Sequence, residues 1–232
     1  MMLDRRLLPA LFVVCAAAFS AEAQQRRASK PDEAPMSFRR VTGTIGGQTR
    51  SWIVAQGPIR PDSGADFERF LKATPLTGET IYFDSTGGSI VGALRLGYAL
   101  RQARARVAVG HTTLKDNAPA QLDEKRGVCY SSCAYAFLGG SERTVPGGAA
   151  YGVHMFWPGD QLEHFRSRKY DYLEIERVHR LSAQLAIYLQ KMGVDQGLLD
   201  LAARTPPRSA IRILKPDQLR ALKIVTGEPP RT

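Results

Sequence analysis

The feature that most constrains this chain is a strand that ends on two glycines and turns directly into a helix. Residues Glu79 to Phe83 are rich in β-forming side chains and stop at Asp84-Ser85-Thr86-Gly87-Gly88. Ser89 is placed to cap the helix that follows, in which Ile90, Ala93, Leu94, Gly97 and Leu100 recur at helical spacing. Arg106 to Val109 reads as the next strand. A strand, a crossover helix and a second strand imply a parallel pair, and hence an α/β fold.

The flanking segments extend the same pattern. Phe38 to Ile59 alternates apolar and polar residues around Gly46-Gly47 and predicts a hairpin; Ala65 to Ala73 predicts a short helix. Residues 111–126 are polar and turn-rich, and are expected as a surface insertion able to cover a site. Gly127 to Tyr130 resumes a strand, and Ser132 to Leu138 starts a helix that Gly139-Gly140 ends. Arg143 to Val145 and Ala149 to Phe156 read as strands on either side of Pro146-Gly147-Gly148. His164 to Met192 predicts a long helix with Leu173, Ile175, Val178, Leu181, Leu185, Tyr188 and Leu189 as its apolar stripe. Asp195 to Arg204 and Pro216 to Leu222 predict helices; Ile211 to Leu214 and Ile224 to Thr226 predict strands. No internal repeat and no second-domain boundary interrupts residues 38–232, so a single domain is expected.

The first residues predict export. Arg5 and Arg6 precede the apolar run Leu7 to Phe19, and Ala21-Glu22-Ala23 places small residues where a signal peptidase cuts. Residues 1–23 are therefore expected as a signal peptide and 24–37 as a flexible leader, with a periplasmic or secreted mature chain. Cys15 belongs to the apolar run, because Val13 and Val14 stand where a lipid attachment site needs a small residue. The run is too short to span a bilayer, and no later segment is long and apolar enough, so no transmembrane anchor is expected. The formal net charge of +10 suits an acidic polypeptide, an anionic membrane face or simply a solvated basic surface. Outside the cytoplasm, nucleic acid is not an expected partner.

Two cysteines remain after such processing, Cys129 and Cys133. An oxidising compartment permits a disulfide between them; the alternative is two small buried side chains packed around the turn. Between them lie Tyr130, Ser131 and Ser132. Ser132 stands where a strand hands over to a helix, which would put the amide of Cys133 at a helix N-terminus beside the serine oxygen. The Gly87-Gly88 turn frees further amides, and two such turns face to face make an oxyanion hole. His154 ends a strand of the same domain and is the candidate general base. Ser131 is the competing serine, but it falls one position too early and is expected only to pack or hydrogen bond. His111, His164 and His179 are expected at the surface, and no ligand spacing suggests a metal.

Taken together, these motifs resemble the Clp protease proteolytic subunit family and the wider ClpP/crotonase superfamily, and above all its secreted branch carrying a Cys-x-x-Ser-Cys-Ala element. Ile81 to Ser89 is similar to the family's strand ending in a Ser-Pro-Gly-Gly turn, with Thr86 in place of the proline. Val128 to Leu138 resembles its Gly-x-Ala-Ala-Ser-Met segment. Arg143-Thr144-Val145-Pro146 and Val153-His154 resemble the strand pair that leads to its catalytic histidine, and Leu214 to Val225 its closing strand-helix-strand. The resemblance covers residues 50–226. It implies a single-domain α/β fold, the ClpP/crotonase β-β-α superhelix, with Ser132 as nucleophile, His154 as base and the amides of Gly87 and Cys133 on the oxyanion. It also implies a peptide or unfolded-polypeptide substrate, no cofactor and a homo-oligomer, here without an ATPase partner. The family's catalytic acid has no counterpart: Thr205 to Ile211 holds no carboxylate, and nothing places Asp195 or Asp200 beside His154. That loss favours, as the alternative, a weak or inactive peptide-binding scaffold on the same fold. A serine–lysine site using Lys169 or Lys191, and crotonase-type thioester chemistry, rank below both.

Overall fold

The computed structural model describes residues 34–45, 47–116, 118–156, 172–206 and 211–227. The expected signal peptide, residues 24–33 of the leader, His164 and Lys169 lie outside the described residues.

The hairpin forms as β1 (Ser37–Ile45) and β2 (Gln48–Gln56), antiparallel. Then come α1 (Ser63–Ala73), β3 (Thr80–Asp84), α2 (Ile90–Gln102) and β4 (Arg106–Val109). Ser89 caps α2 as expected, its Oγ accepting from the Gly92 amide at 3.1 Å. Strands β2, β3 and β4 are mutually parallel, as the crossover helices require.

The described residues of 111–126 lie largely at the surface, but as paired strands and not as turns alone. They form β5 (His111–Thr113) and β6 (Ala120–Asp123), and β6 joins β1 in parallel. The polarity that suggests a loop belongs to side chains that fasten this pair over the sheet. Trp52 Nε1 donates to Thr112 Oγ1 at 3.0 Å, Gln56 Nε2 to the Thr112 carbonyl at 3.1 Å, and the Tyr82 hydroxyl to Glu124 at 2.7 Å. Beneath them Trp52, Val54, Tyr82, Ala108 and Ala120 form a small second core.

Next in the chain are β7 (Val128–Tyr130), α3 (Ser132–Phe137), β8 (Glu142–Thr144) and β9 (Ala150–Val153). The chain closes with α4 (Tyr172–Met192), α5 (Gly197–Ala203), β10 (Arg212–Ile213) and α6 (Pro216–Ala221). A seven-stranded sheet runs β5-β6-β1-β2-β3-β4-β8, and a three-stranded sheet runs β10-β9-β7. The main core lies on the other face of the large sheet, where α1, α2 and α3 bury Phe67, Leu96, Leu100 and Phe137 against Ile53, Ile81 and Phe83. This is the mixed α/β fold expected. The last predicted strand, Ile224 to Thr226, is absent as a strand, although Thr226 still pairs its amide with the Arg143 carbonyl.

Helix α4 buries only its C-terminal half, through Leu185, Tyr188, Leu189 and Met192. Tyr172, Leu173 and Ile175 are exposed. Among the described residues, no helix is long and apolar enough to cross a membrane.

Candidate active site

Among the described residues, one isolated bridge joins the two sheets. Beyond the end of β3, Ser85 makes a parallel bridge to Cys129 of β7. The Ser85 amide donates to the Val128 carbonyl at 2.8 Å, and the Tyr130 amide donates to the Ser85 carbonyl at 3.0 Å. Asp84 strengthens the joint: one carboxylate oxygen accepts from the Val128 amide at 3.0 Å and the other pairs with His111 Nδ1 at 2.6 Å. His111, expected as a bare surface residue, thus holds the joint together. Its signal is faint in the sequence, since the two residues lie 27 positions apart.

This joint carries the glycine turn onto the end of β7. Gly87 has φ +109, and a Cβ there would lie 2.8 Å from Ser131 Cβ and from the Tyr130 carbonyl, and 3.1 Å from the Ser132 amide. Only glycine combines that dihedral with that approach. Gly88, at φ +136, is pressed against Ile59 on its other side, where a Cβ would meet the Ile59 carbonyl at 2.2 Å.

Strand β9 brings the histidine. It lies parallel to β7 with Tyr130 opposite Gly152, and the Ser131 amide donates to the Gly152 carbonyl at 3.0 Å. His154, two residues further on, therefore stands beside Ser131. Its Nε2 is 2.7 Å from Ser131 Oγ.

The serine that faces His154 is thus Ser131 and not Ser132, which corrects the register taken from the sequence. Ser132 is the first residue of α3, and its hydroxyl is buried, 3% exposed, with no hydrogen-bond partner among the described residues. Ser131 is the N-cap, at φ +57 and ψ −123.

An N-cap serine ordinarily accepts from the first turn of its helix. Ser131 makes no such bond, since its hydroxyl is engaged with His154. Among the described residues the amides of Ser132 and Cys133 consequently donate to no acceptor, and neither does that of Gly88. The Gly87 amide is occupied, donating to Ser85 Oγ at 3.2 Å. The free amides on either side of Ser131 are thus those of Ser132 and Cys133 on the helix and Gly88 on the glycine turn, where the sequence suggested Cys133 and Gly87. Cys129 and Cys133 form a disulfide with Cα atoms 5.2 Å apart.

Burial lowers the pKa of His154 below its ordinary 6.5. The Met155 backbone acts in the opposite sense, and burial outweighs it. His154 Nδ1 is buried and has no partner among the described residues. No group of three or more metal-ligating side chains is assembled among them either.

No family model matches the chain, and no curated protein does. Among solved structures, it is similar to an Asn-to-Asp mutant of ClpP1 from Listeria monocytogenes. The identity is 13%, with 74% of this chain and 86% of that chain covered and a TM-score of 0.48. It is also similar to a Ser-to-Ala mutant of the membrane-bound stomatin-specific protease 1510-N, at 13% identity over 74% of this chain and 75% of that one, with a TM-score of 0.46.

Proposed function

We propose that the protein is a serine peptidase of the Clp type that works outside the cytoplasm, without an ATPase partner, through a Ser131–His154 dyad. The observation that carries this reading is the 2.7 Å contact between His154 Nε2 and Ser131 Oγ, beside unpaired amides at a helix start. The resemblance of the glycine turn, the serine segment and the histidine strand to the Clp family supports the substrate class.

In this reading neutral His154 takes the proton of Ser131 Oγ as the oxygen attacks a peptide carbonyl carbon. The amides of Ser132 and Gly88 receive the oxyanion, backed by the dipole of α3. His154 then passes the proton to the leaving amine, and water releases the acyl group by the same steps in reverse. Lowering of the histidine pKa by burial keeps the imidazole in its base form in mildly acidic conditions. The disulfide and the signal-like first residues support an oxidising compartment. The substrate is a short or unfolded peptide laid along the glycine strand by strand addition.

Fluorophosphonate labelling of the purified protein tests the reading. Labelling is expected in the wild type, lost in Ser131→Ala and His154→Ala, and kept in Ser132→Ala. An unlabelled, folded wild type would overturn it.

One observation favours a second reading, a peptide-binding scaffold without turnover. His154 Nδ1 has no acid beside it among the described residues, whereas a buried carboxylate ordinarily orients such a histidine. Peptide binding by a protein that the fluorophosphonate does not label would establish it.

A further inference from the structure

Ser131 holds a backbone conformation that side-chain-bearing residues rarely adopt, φ +57 with ψ −123. Such a residue persists only where its surroundings over-determine it. Several contacts hold Ser131: its amide on Gly152, its carbonyl on the Ala134 amide at 3.1 Å, its hydroxyl on His154 and its Cβ against Gly87. One further restraint is covalent. The disulfide joins the residue two before Ser131 to the residue two after it.

Both ends of that link are fixed. Cys129 is central in β7, paired with Tyr151 on one side and bridged to Ser85 on the other. Cys133 lies in the first turn of α3, and both cysteines are fully buried. The ring of five residues therefore ties a sheet to a helix start with the strained residue at its centre. Opening the ring would let Ser131 relax toward negative φ. Its oxygen would then leave His154, while the sheet, the helix and the substrate edge stayed in place.

We propose that Cys129 and Cys133, as a disulfide, are positioning residues for the Ser131 nucleophile, so that the site is assembled only in the oxidised protein. The proposal rests on the Ser131–His154 reading and adds a redox condition to it. Reduction by dithiothreitol transfers its two thiol hydrogens to Sγ of Cys129 and Cys133 and leaves the reagent as its cyclic disulfide. An oxidising compartment keeps the link closed.

The test is the rate of fluorophosphonate labelling against reagent concentration, which separates reversible binding of the reagent from the bond-forming step. Three samples are compared: oxidised wild type, wild type shown by mass spectrometry to carry two thiols, and Cys129→Ala/Cys133→Ala. Circular dichroism restricts the comparison to folded protein. The bond-forming rate is expected to fall roughly tenfold to a hundredfold in the latter two, the population change that strain at one residue implies. The binding constant should stay unchanged, and reoxidation of the reduced wild type should restore the rate. A link that only adds stability would leave both constants alone in folded protein. If the variant does not fold, the reduced and reoxidised wild type decide the matter. Equal bond-forming rates in oxidised and reduced protein would overturn the proposal. An unlabelled oxidised wild type would remove the nucleophile itself, and with it both readings.

Discussion

Ser85 and Cys129 form the bridge by which the glycine turn after β3 reaches the end of β7. The glycine side of the candidate site depends on that contact. It sets Gly87 against Ser131, and Gly87 in turn leaves room for the Ser132 amide. Neither strand holds the site alone: β3 brings the glycines, and β7 brings the serine.

Gly87→Ala is therefore expected to cripple the site more than the fold. The new methyl would lie 2.8 Å from Ser131 Cβ and the Tyr130 carbonyl, at a φ of +109. Strain and overpacking together cost about 2–4 kcal/mol. Chemical denaturation should read a loss of that order. Fluorophosphonate labelling at a temperature where the variant remains folded should fall by roughly a hundredfold or more, since displacing reacting groups by about 1 Å has that cost.

Ser132→Ala is expected to do the opposite of what a nucleophile substitution does. The Ser132 hydroxyl is buried without a partner among the described residues, so its removal relieves a desolvated polar group. Thermal denaturation should show unchanged or higher stability, by up to about 1 kcal/mol. A loss of labelling in this variant would return the nucleophile to Ser132.

The pH dependence follows from His154. Burial lowers its pKa from 6.5, so the base form persists below that value. The labelling rate should rise with pH and reach half its maximum below pH 6.5. For stability the sign is the same. The unfolded chain binds the proton more readily than the folded one, so this histidine's contribution is complete above pH 6.5 and is lost as pH falls through the folded value. Urea midpoints for wild type and His154→Ala, measured across that window, should converge toward acid if His154 is the group responsible.

Arg143 predicts the largest effect away from the site. It is 3% exposed and has no carboxylate partner among the described residues. Its guanidinium donates to the carbonyls of Leu138, Gly140, Met192, Lys223 and Ile224, which lie at or just past the ends of α3, α4 and α6. The partial negative charge of three helix C-termini stands in for a counter-ion. Burial, aided by the Arg101 charge, lowers its pKa to about 10, which leaves it charged at neutral pH. Arg143→Ala would strand these carbonyls and should lose about 3–5 kcal/mol in chemical denaturation.

Much of the frame was legible from local pattern. The βαβ unit, the Ser89 cap and the hairpin each rest on residues a few positions apart, and periodicity and turn chemistry report such neighbours directly. The hairpin at 111–126 was hidden, because its polar side chains and the Thr112 carbonyl find partners 27 to 60 residues away, at Asp84, Gln56, Tyr82 and Trp52. Expected strand Ile224 to Thr226 failed for a related reason: its bonds go to the main chain and guanidinium of Arg143 rather than into a ladder.

By itself the sequence determined which chemical groups are present and in what order: a glycine turn, a serine pair between two cysteines, and a histidine after a strand. It could not choose between Ser131 and Ser132, because both lie at the same junction and differ by one residue of register. The tertiary structure made that choice. The Ser131 amide on Gly152 fixes the offset between β7 and β9, and that offset sets His154 opposite one hydroxyl while the start of α3 turns the other into the core. Register between strands distant in sequence is a property of the assembled sheet, and a one-residue slip exchanges the side chain that faces the site for the one that faces away.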